Sequence, residues 1–197
     1  MPRTVVAVVV SCAACLVACG ETRSPLGPAE TAVSTSTSAF VMPALLARQV
    51  LMLDACDPDS FNAALGPGTC SRPTSGGIPF PTFVDLLEKH QRVDAWRFSP
   101  DVIAVTRPTT LTIPNNGGIP HSFTEVAEFG GGFVPFLNQL SGNPVPAPEC
   151  VHPMIPTAPN PAVNLVPPGA AGEITVNPGE AKKYMCCIHP WMRAETR

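Results

Sequence analysis

The sequence predicts a mainly β fold, in which short strands from residue 94 onward form an antiparallel sandwich or barrel. Apolar and polar residues alternate in several short stretches of this part, as they do in strands with one buried face. Glycine and proline, 15 and 25 of the 197 residues, separate these stretches. The 45% of hydrophobic residues are enough to build a core.

The N-terminal 39 residues are expected to lie outside this fold. Residues 1–18 combine Arg3 with an apolar stretch that is too short to span a membrane comfortably, which is typical of an export signal. The segment "LVACG" at residues 16–20 resembles the lipobox of bacterial lipoproteins, which implies lipidation of Cys19. An ordinary secretory signal, cut nearby, is the alternative. Residues 19–39 are rich in Ser, Thr and Pro, which predicts a flexible tether.

Residues 40–93 are predicted to form a partly helical extension. The stretch "FVMPALLARQVLMLDAC" is interpreted as a helix that begins after Pro43, and "PTFVDLLEKHQRVDAW" as a second helix that begins near Thr82. Between them lies a short loop bounded by Cys56 and Cys70. In an exported protein, two cysteines this close along the chain predict a disulfide.

The strands of the second half are predicted from alternating side chains. One strand is expected from about Val102 to Thr106, and in "TTLTIPNN" the residues Leu111 and Ile113 share one face. The segments "HSFTEV" and "GEITVNPGEAKKYMCC" supply further strands, the latter around a Pro-Gly turn. Residues 127–169 are rich in glycine and proline, and we expect them to form an ordered but irregular insertion.

The charge distribution argues against one class of partner. The chain has a net charge of −3 and no cluster of lysine or arginine. Because nucleic-acid binding needs a basic surface to meet the phosphates, no nucleic-acid partner is expected.

The stretch "YMCCIHPWM" places soft metal ligands close together, among them Cys186, His189 and Met192. Calcium and magnesium prefer carboxylates, and zinc seldom binds a thioether. A thiolate, two imidazoles and a weak axial methionine form the ligand set of an electron-transfer copper site, so a second histidine is needed. Of the four histidines, His121 is the candidate, because it begins a predicted strand in "NNGGIPHSF".

Together, "NNGGIPHSF" and "YMCCIHPWM" resemble the copper-site signature of the cupredoxins, those of the plastocyanin and amicyanin type in particular. In that family a histidine after a glycine- and proline-bearing turn joins three ligands from one Cys-x-x-His-x-x-Met loop. Cys186, His189 and Met192 have this spacing, and His121 follows such a turn. The resemblance therefore implies that these four residues bind one type 1 copper ion.

The resemblance covers residues 94–126 and 172–192. It implies a cupredoxin-like Greek-key β-sandwich over residues 94–197. It also implies that backbone N–H groups near Asn116 and at Ser122 lie beside the copper thiolate and restrain it.

Spacing and strand alternation both distinguish the two adjacent cysteines. The family spacing selects Cys186, and alternation places Cys187 on the opposite face of the strand. Once the lipidated and loop cysteines are set aside, Cys150 remains, and we expect it to form a disulfide with Cys187. The alternative left open is a vicinal disulfide between Cys186 and Cys187, with no metal.

The ligand set favours a blue copper electron carrier, held by the lipid on Cys19 at the periplasmic or cell-surface side of a membrane. Its partners would be redox proteins of the cell envelope. The alternatives are a copper-binding or copper-delivery lipoprotein without an electron-transfer role, and a metal-free interaction module. An enzyme is not expected, because every ligand position is filled and no base or nucleophile accompanies the site.

The C-terminus departs from the family pattern. Related domains continue past the axial methionine into a final strand, whereas only "RAETR" follows Met192 here. Five residues with three charges predict a poor buried strand, so the last strand is expected to be short and at an edge, or to be replaced by the N-terminal extension.

Overall fold

The computed structural model describes residues 48–72 and 76–197. The predicted signal at residues 1–18, the predicted lipidation site Cys19 and the predicted tether at residues 19–39 lie outside the described residues. In the part that is described, no helix is both long enough and apolar enough to cross a membrane.

Short strands dominate the described chain, with a few short helices between them. The α-helices in this part are α1 (Pro58–Leu65), α2 (Phe80–His90) and α3 (Pro135–Leu140). The strands before the insertion are β1 (Arg48–Gln49), β2 (Leu51–Leu53), β3 (Arg97–Ser99), β4 (Val102–Ile103), β5 (Thr109–Pro114), β6 (His121–Ser122) and β7 (Thr124–Val126). The later strands are β8 (Val151–His152), β9 (Ile155–Pro159), β10 (Leu165–Val166), β11 (Ala171–Val176), β12 (Lys183–Met185) and β13 (Arg193–Thr196).

Two sheets contribute side chains to one core. The first sheet has the strand order β1-β5-β11, and the second has the order β4-β13-β12-β7. Leu111 of β5 and Tyr184 of β12 belong to the same buried apolar cluster. The mainly β sandwich predicted from the sequence is therefore confirmed.

Strand β5 has the alternation that its sequence predicts. Leu111 and Ile113 are buried, whereas Thr110 and Thr112 are not. Strand β11 pairs with it antiparallel over six residue pairs, so that Ile174 lies opposite Leu111. The apolar face of β5 is thus turned toward the core along its whole length.

The helix predicted after Pro43 is wrong for the described part of that stretch, which forms β1 and β2. Strand β1 pairs parallel with β5, and β2 pairs antiparallel with β3. Val50 and Met52 are fully buried, while Leu51 and Leu53 between and after them are half-buried. This two-residue period was obscured by residues of high helix propensity, and pairing with the sheet overrides that propensity.

The second predicted helix is confirmed as α2. Phe83 and Leu87 lie one turn apart on its buried face, and Phe83 packs against Phe61 of α1 and against Trp96. Helix α1 begins at Pro58, where the Asp57 side chain accepts a hydrogen bond from the Ser60 N–H. Both helices therefore pack on the same core as the sandwich.

The C-terminal residues form a central strand, contrary to the expectation of an edge or missing strand. Strand β13 lies between β4 and β12, parallel to the first and antiparallel to the second. Its small residues Ala194 and Thr196 are buried, and its charged residues Arg193 and Glu195 face the other side. Successive side chains of a strand point to opposite faces, so charged residues at every second position do not prevent this short segment from lying inside a sheet.

The insertion at residues 127–169 contains more regular structure than predicted. It includes α3, a 3₁₀ turn at Pro148–Cys150 and the pair β8–β9, while β10 returns to pair with β6. A disulfide between Cys150 and Cys187 ties it to the C-terminal loop. The insertion thereby covers both segments that carry the predicted metal ligands.

Candidate metal centre

Three of the predicted ligands meet in the core. Ligand atoms of His121, Cys186 and His189 all lie within 4.8 Å of one another, the one such group found among the described residues. All three side chains are buried, and Cys186 is fully enclosed. His121 is placed by β6, and Cys186 directly follows β12, so paired strands fix both residues.

The structure distinguishes the two adjacent cysteines as the sequence predicts. Tyr184 and Cys186 belong to the main core cluster, whereas Met185 and Cys187 belong to a second cluster on the other side of β12. Cys187 is bonded to Cys150, and Cys186 is free. A vicinal disulfide between Cys186 and Cys187 is therefore not what the chain forms.

Met192 lies at the end of a tightly closed loop. The Met192 N–H donates to the His189 carbonyl at 2.9 Å, and the Cys186 N–H donates to the Met192 carbonyl at 3.0 Å. Met192 is fully buried and packs in the same cluster as Cys186. Backbone hydrogen bonds thus bring both ends of the Cys-x-x-His-x-x-Met loop together.

The Cys186 sulfur is surrounded by nitrogen atoms. It lies 3.7 Å from His121 Nδ1 and 3.6 Å from His189 Nδ1. Burial opposes its ionisation, but hydrogen bonds from the two imidazoles outweigh burial and hold the pKa of this thiol well below its usual range. The lowered pKa favours the thiolate of Cys186, which is the form that binds metal.

Ser122 restrains both cysteines. Its N–H lies 3.4 Å from the Cys186 sulfur, as predicted, and its Oγ accepts a hydrogen bond of 2.9 Å from the Cys187 N–H. The N–H of Asn116 itself donates to the Met52 carbonyl at 2.9 Å. The β2 segment, which was expected to be helical, runs beside this turn and takes that donor.

His121 has a partner that sequence reasoning missed. Its Nε2 lies 2.9 Å from Oδ2 of Asp54, and both side chains are fully buried. Burial opposes protonation of His121, but the hydrogen bond to Asp54 and contact with Cys186 raise its pKa to about 9. No local pattern around Asp54 marks it, since it lies 67 residues from His121 along the chain.

His189 has different surroundings. Burial lowers its pKa, against the effect of the neighbouring Cys186 thiolate. Its ring meets that of Trp191 edge-on at 5.4 Å between centroids. It also lines an apolar cavity of about 390 Å³, together with Phe83 of α2, Phe136 of α3 and residues of α1.

The donor set fits one type 1 copper ion. A thiolate, two imidazole nitrogens and a thioether side chain are the ligands that such a site uses. All four side chains are buried, and the ligand atoms of the thiol and the two imidazoles lie within 4.8 Å of one another. The residues are His121, Cys186, His189 and Met192.

No family model and no curated protein matches the sequence. Among solved structures, the purple cupredoxin from Nitrosopumilus maritimus is 14% identical with a TM-score of 0.37, and the match covers 76% of this chain and 96% of that chain. A reduced amicyanin mutant is 16% identical with a TM-score of 0.32, over 51% of this chain and 70% of that chain. Auracyanin B is 17% identical with a TM-score of 0.27, over 51% of this chain and 78% of that chain.

Sequence identity and structural overlap are low in all three cases, so the assignment of the centre rests on its own donor atoms. The fold and site together define a mainly β sandwich that carries the ligand set of a type 1 copper centre.

Proposed function

We propose that the protein is a blue copper electron carrier on the exported side of a membrane. The observation that supports this most strongly is the buried group of Cys186, His121 and His189, whose ligand atoms all lie within 4.8 Å of one another. When bound, copper supplies a one-electron couple between Cu(I) and Cu(II).

The surrounding chain is built to keep the ligands in place. Ser122 contacts the thiolate, Asp54 holds His121, and backbone hydrogen bonds close the loop between Cys186 and Met192. Ligands that are fixed by strands and hydrogen bonds move little when the charge of the bound ion changes. A small rearrangement favours rapid electron transfer.

The surroundings also argue against an enzyme. Asp54, the carboxylate nearest to the ligands, accepts hydrogen bonds from several N–H groups and is not free to act as a base. The proposed ligands would fill the coordination of a type 1 ion, which leaves no open position for a substrate. Electron transfer to a redox protein needs neither a general base nor an open coordination position.

An exported location is supported by two disulfides, Cys56–Cys70 and Cys150–Cys187, because disulfides persist in oxidising compartments. The lipid anchor on Cys19 remains a proposal from the sequence. A tether of this kind would keep the carrier close to membrane-bound redox partners.

A copper-delivery role is the alternative function that the sequence also allows. Delivery requires ligands that can be reached and exchanged, whereas Cys186 and Met192 are fully buried. The enclosed centre therefore favours electron transfer over delivery.

The test is the visible absorption spectrum of the full chain loaded with Cu(II). An intense blue band that bleaches with a mild reductant is expected, since a copper–thiolate bond produces it. The band should vanish in Cys186→Ala. The matched control is the double variant Cys150→Ala/Cys187→Ala, which removes the neighbouring cysteine with its partner and should keep the band.

A colourless product from the wild-type chain would contradict the proposal. A blue band without reversible reduction and reoxidation would favour copper delivery instead.

A further inference from the structure

We propose that Asp54 is a positioning residue of the copper centre, which holds His121 through Nε2 and places a buried negative charge that favours Cu(II) over Cu(I). This inference rests on the proposed function. It gives the N-terminal segment, for which the sequence suggested no role, a direct part in the centre.

The two nitrogens of the His121 ring have opposite partners. Nε2 lies 2.9 Å from Asp54 Oδ2, and Nδ1 lies 3.7 Å from the Cys186 sulfur. An ionised carboxylate can only accept a hydrogen bond, so Nε2 must carry the proton. The lone pair of a neutral ring is then on Nδ1, on the side of the thiolate, where a metal ligand is needed.

The hydrogen bonds around Asp54 show that it is ionised. Its carboxylate accepts from the N–H groups of Cys56 at 3.1 Å, Gly118 at 2.9 Å and Ile119 at 3.2 Å, in addition to His121. The three backbone N–H groups are donors and reach both carboxylate oxygens, so both oxygens act as acceptors, as they do in the ionised form. Among the described residues, the only ion pair of Asp54 is the one with His121.

Two glycines allow the carboxylate to approach this closely. A Cβ atom on Gly117 would lie 1.8 Å from Asp54 Oδ2, and one on Gly118 would lie 2.5 Å from the Cys56 sulfur. The turn before His121 therefore has no side chains where Asp54 and the disulfide pack. The pair of glycines in "NNGGIPHSF" is explained by this contact.

The other side of the same turn is held by residues that follow the disulfide. Arg72 donates to the carbonyls of Gly117 and Asn115, each at 2.9 Å. Ser71 donates to the Gly118 carbonyl through its N–H at 2.8 Å and through its Oγ at 3.1 Å. The N–H groups of Gly118 and Ile119 thus bind Asp54, and carbonyls of the same turn bind Ser71 and Arg72. The segment around the Cys56–Cys70 disulfide therefore contacts the turn on both sides.

The charge has a direct electrostatic consequence. Cu(II) carries one more positive charge than Cu(I), so a nearby anion stabilises the oxidised form more. The interaction is strong because both Asp54 and His121 are excluded from water. Asp54 should therefore lower the reduction potential as well as orient the ring.

The test is Asp54→Asn in the full chain, a change that keeps the shape and removes the charge. Loss of a carboxylate partner behind a ligating histidine lowers metal affinity by about 10- to 100-fold. We expect Cu(II) affinity to fall about tenfold more than Cu(I) affinity, which corresponds to a rise of about 59 mV in the reduction potential. The blue band should remain, because all four ligands are unchanged.

The matched control is Asp57→Asn. It removes the same charge from the same segment, and asparagine still caps α1. The potential of this variant should equal that of the wild type. If Asp54→Asn also leaves the potential unchanged, Asp54 does not tune the centre and the inference is overturned.

A second measurement uses only the wild-type chain and so does not depend on how the variant folds. In nitrogen NMR of the Cu(I) form, and of the metal-free protein in alkaline solution where the His121 ring is neutral, the ring proton should lie on Nε2 and not on Nδ1. An unprotonated Nε2 would overturn the inference. A wild-type chain that forms no blue band would instead refute the proposed function, while the metal-free NMR experiment still decides whether Asp54 orients His121.

Discussion

The two histidines of the centre contact the same sulfur but belong to different parts of the molecule. His121 Nε2 is hydrogen-bonded to the buried carboxylate of Asp54, and the pKa of His121 is raised to about 9. His189 is packed against Trp191 and an apolar cavity, and burial lowers its pKa. Their Nδ1 atoms nevertheless lie at nearly the same distance from the Cys186 sulfur, 3.7 and 3.6 Å.

This difference indicates a division of tasks. The His121 side is fixed by charge and hydrogen bonds from the N-terminal segment, which suits a residue that holds the metal. The His189 side is apolar, and its cavity is lined by side chains from α1, α2 and α3. We infer that the first side anchors the centre by charge and hydrogen bonds, whereas the second holds His189 by apolar packing.

Replacing each histidine by leucine should break this comparison most strongly. His121→Leu leaves the Asp54 carboxylate buried without its charged partner, and we expect a loss of about 3 to 5 kcal/mol in the unfolding free energy of the metal-free protein. His189→Leu removes the hydrogen-bond contact with the Cys186 sulfur but leaves no carboxylate without its partner, so it should cost less, about 1 to 3 kcal/mol. Urea unfolding with both disulfides intact measures the difference, and equal losses would refute the proposed asymmetry.

The pH dependence of the metal-free protein should separate the same groups. The lowered pKa of Cys186 makes stability fall as pH falls below about 9, and the raised pKa of His121 makes stability fall as pH rises from about 6.5 to about 9. Between about pH 6.5 and 9 the two effects cancel. The unfolded chain carries one proton on the Cys186 thiol, the folded chain carries one on His121, and the number of bound protons is therefore the same in both states. Stability should therefore be nearly constant from about pH 6.5 to 9.

Below about pH 6.5 the balance changes. The unfolded chain takes up a proton on each histidine, whereas His189 stays neutral in the folded protein and Cys186 stays ionised. Stability should fall with decreasing pH by about 1.4 kcal/mol per pH unit for each unmatched proton. Urea midpoints measured from pH 5 to 9 test this, and His189→Leu should reduce the slope below about pH 6.5. A steady change across the whole range would contradict the assignment.

A methyl group added at Gly117 should disturb only the His121 side of the centre. Gly117→Ala places a Cβ against the Asp54 carboxylate, and such overpacking costs about 1 to 3 kcal/mol. The displaced carboxylate should also raise the reduction potential in the same direction as Asp54→Asn. Gly172→Ala is the control, because its Cβ would lie at an ordinary 3.4 Å from Val166. Redox titration of both variants measures the effect. A Gly117→Ala potential equal to that of Gly172→Ala would contradict the prediction.

The smallest effect is expected on the apolar side. Trp191→Phe keeps an aromatic ring against His189 and removes a buried indole N–H that has no hydrogen-bond partner among the described residues. The gain from removing that donor offsets part of the lost packing, so stability should change by less than about 1 kcal/mol. The blue band should be unchanged. Loss of the band would show that Trp191 positions His189, which would make the two sides more alike than we infer.

Two short segments of the sequence, through their resemblance to the cupredoxin copper-site signature, were enough to predict the four ligands. Cys186, His189 and Met192 lie within one loop, and strand alternation alone separates Cys186 from Cys187. Alternation also predicted the buried face of β5, and apolar periodicity predicted α2. These features depend on residues a few positions apart, whose relative directions are set by backbone geometry.

Other features were decided only by tertiary structure. The segment that contains Val50 and Met52 became two strands because neighbouring strands offered hydrogen bonds, and "RAETR" became a central strand for the same reason. Asp54 became the partner of His121 through a contact that spans 67 residues and needs two glycines and a disulfide to form. The sequence by itself therefore determined which side chains could bind the metal, while long-range packing decided what surrounds and holds them, because pairing between distant segments leaves no local periodicity to read.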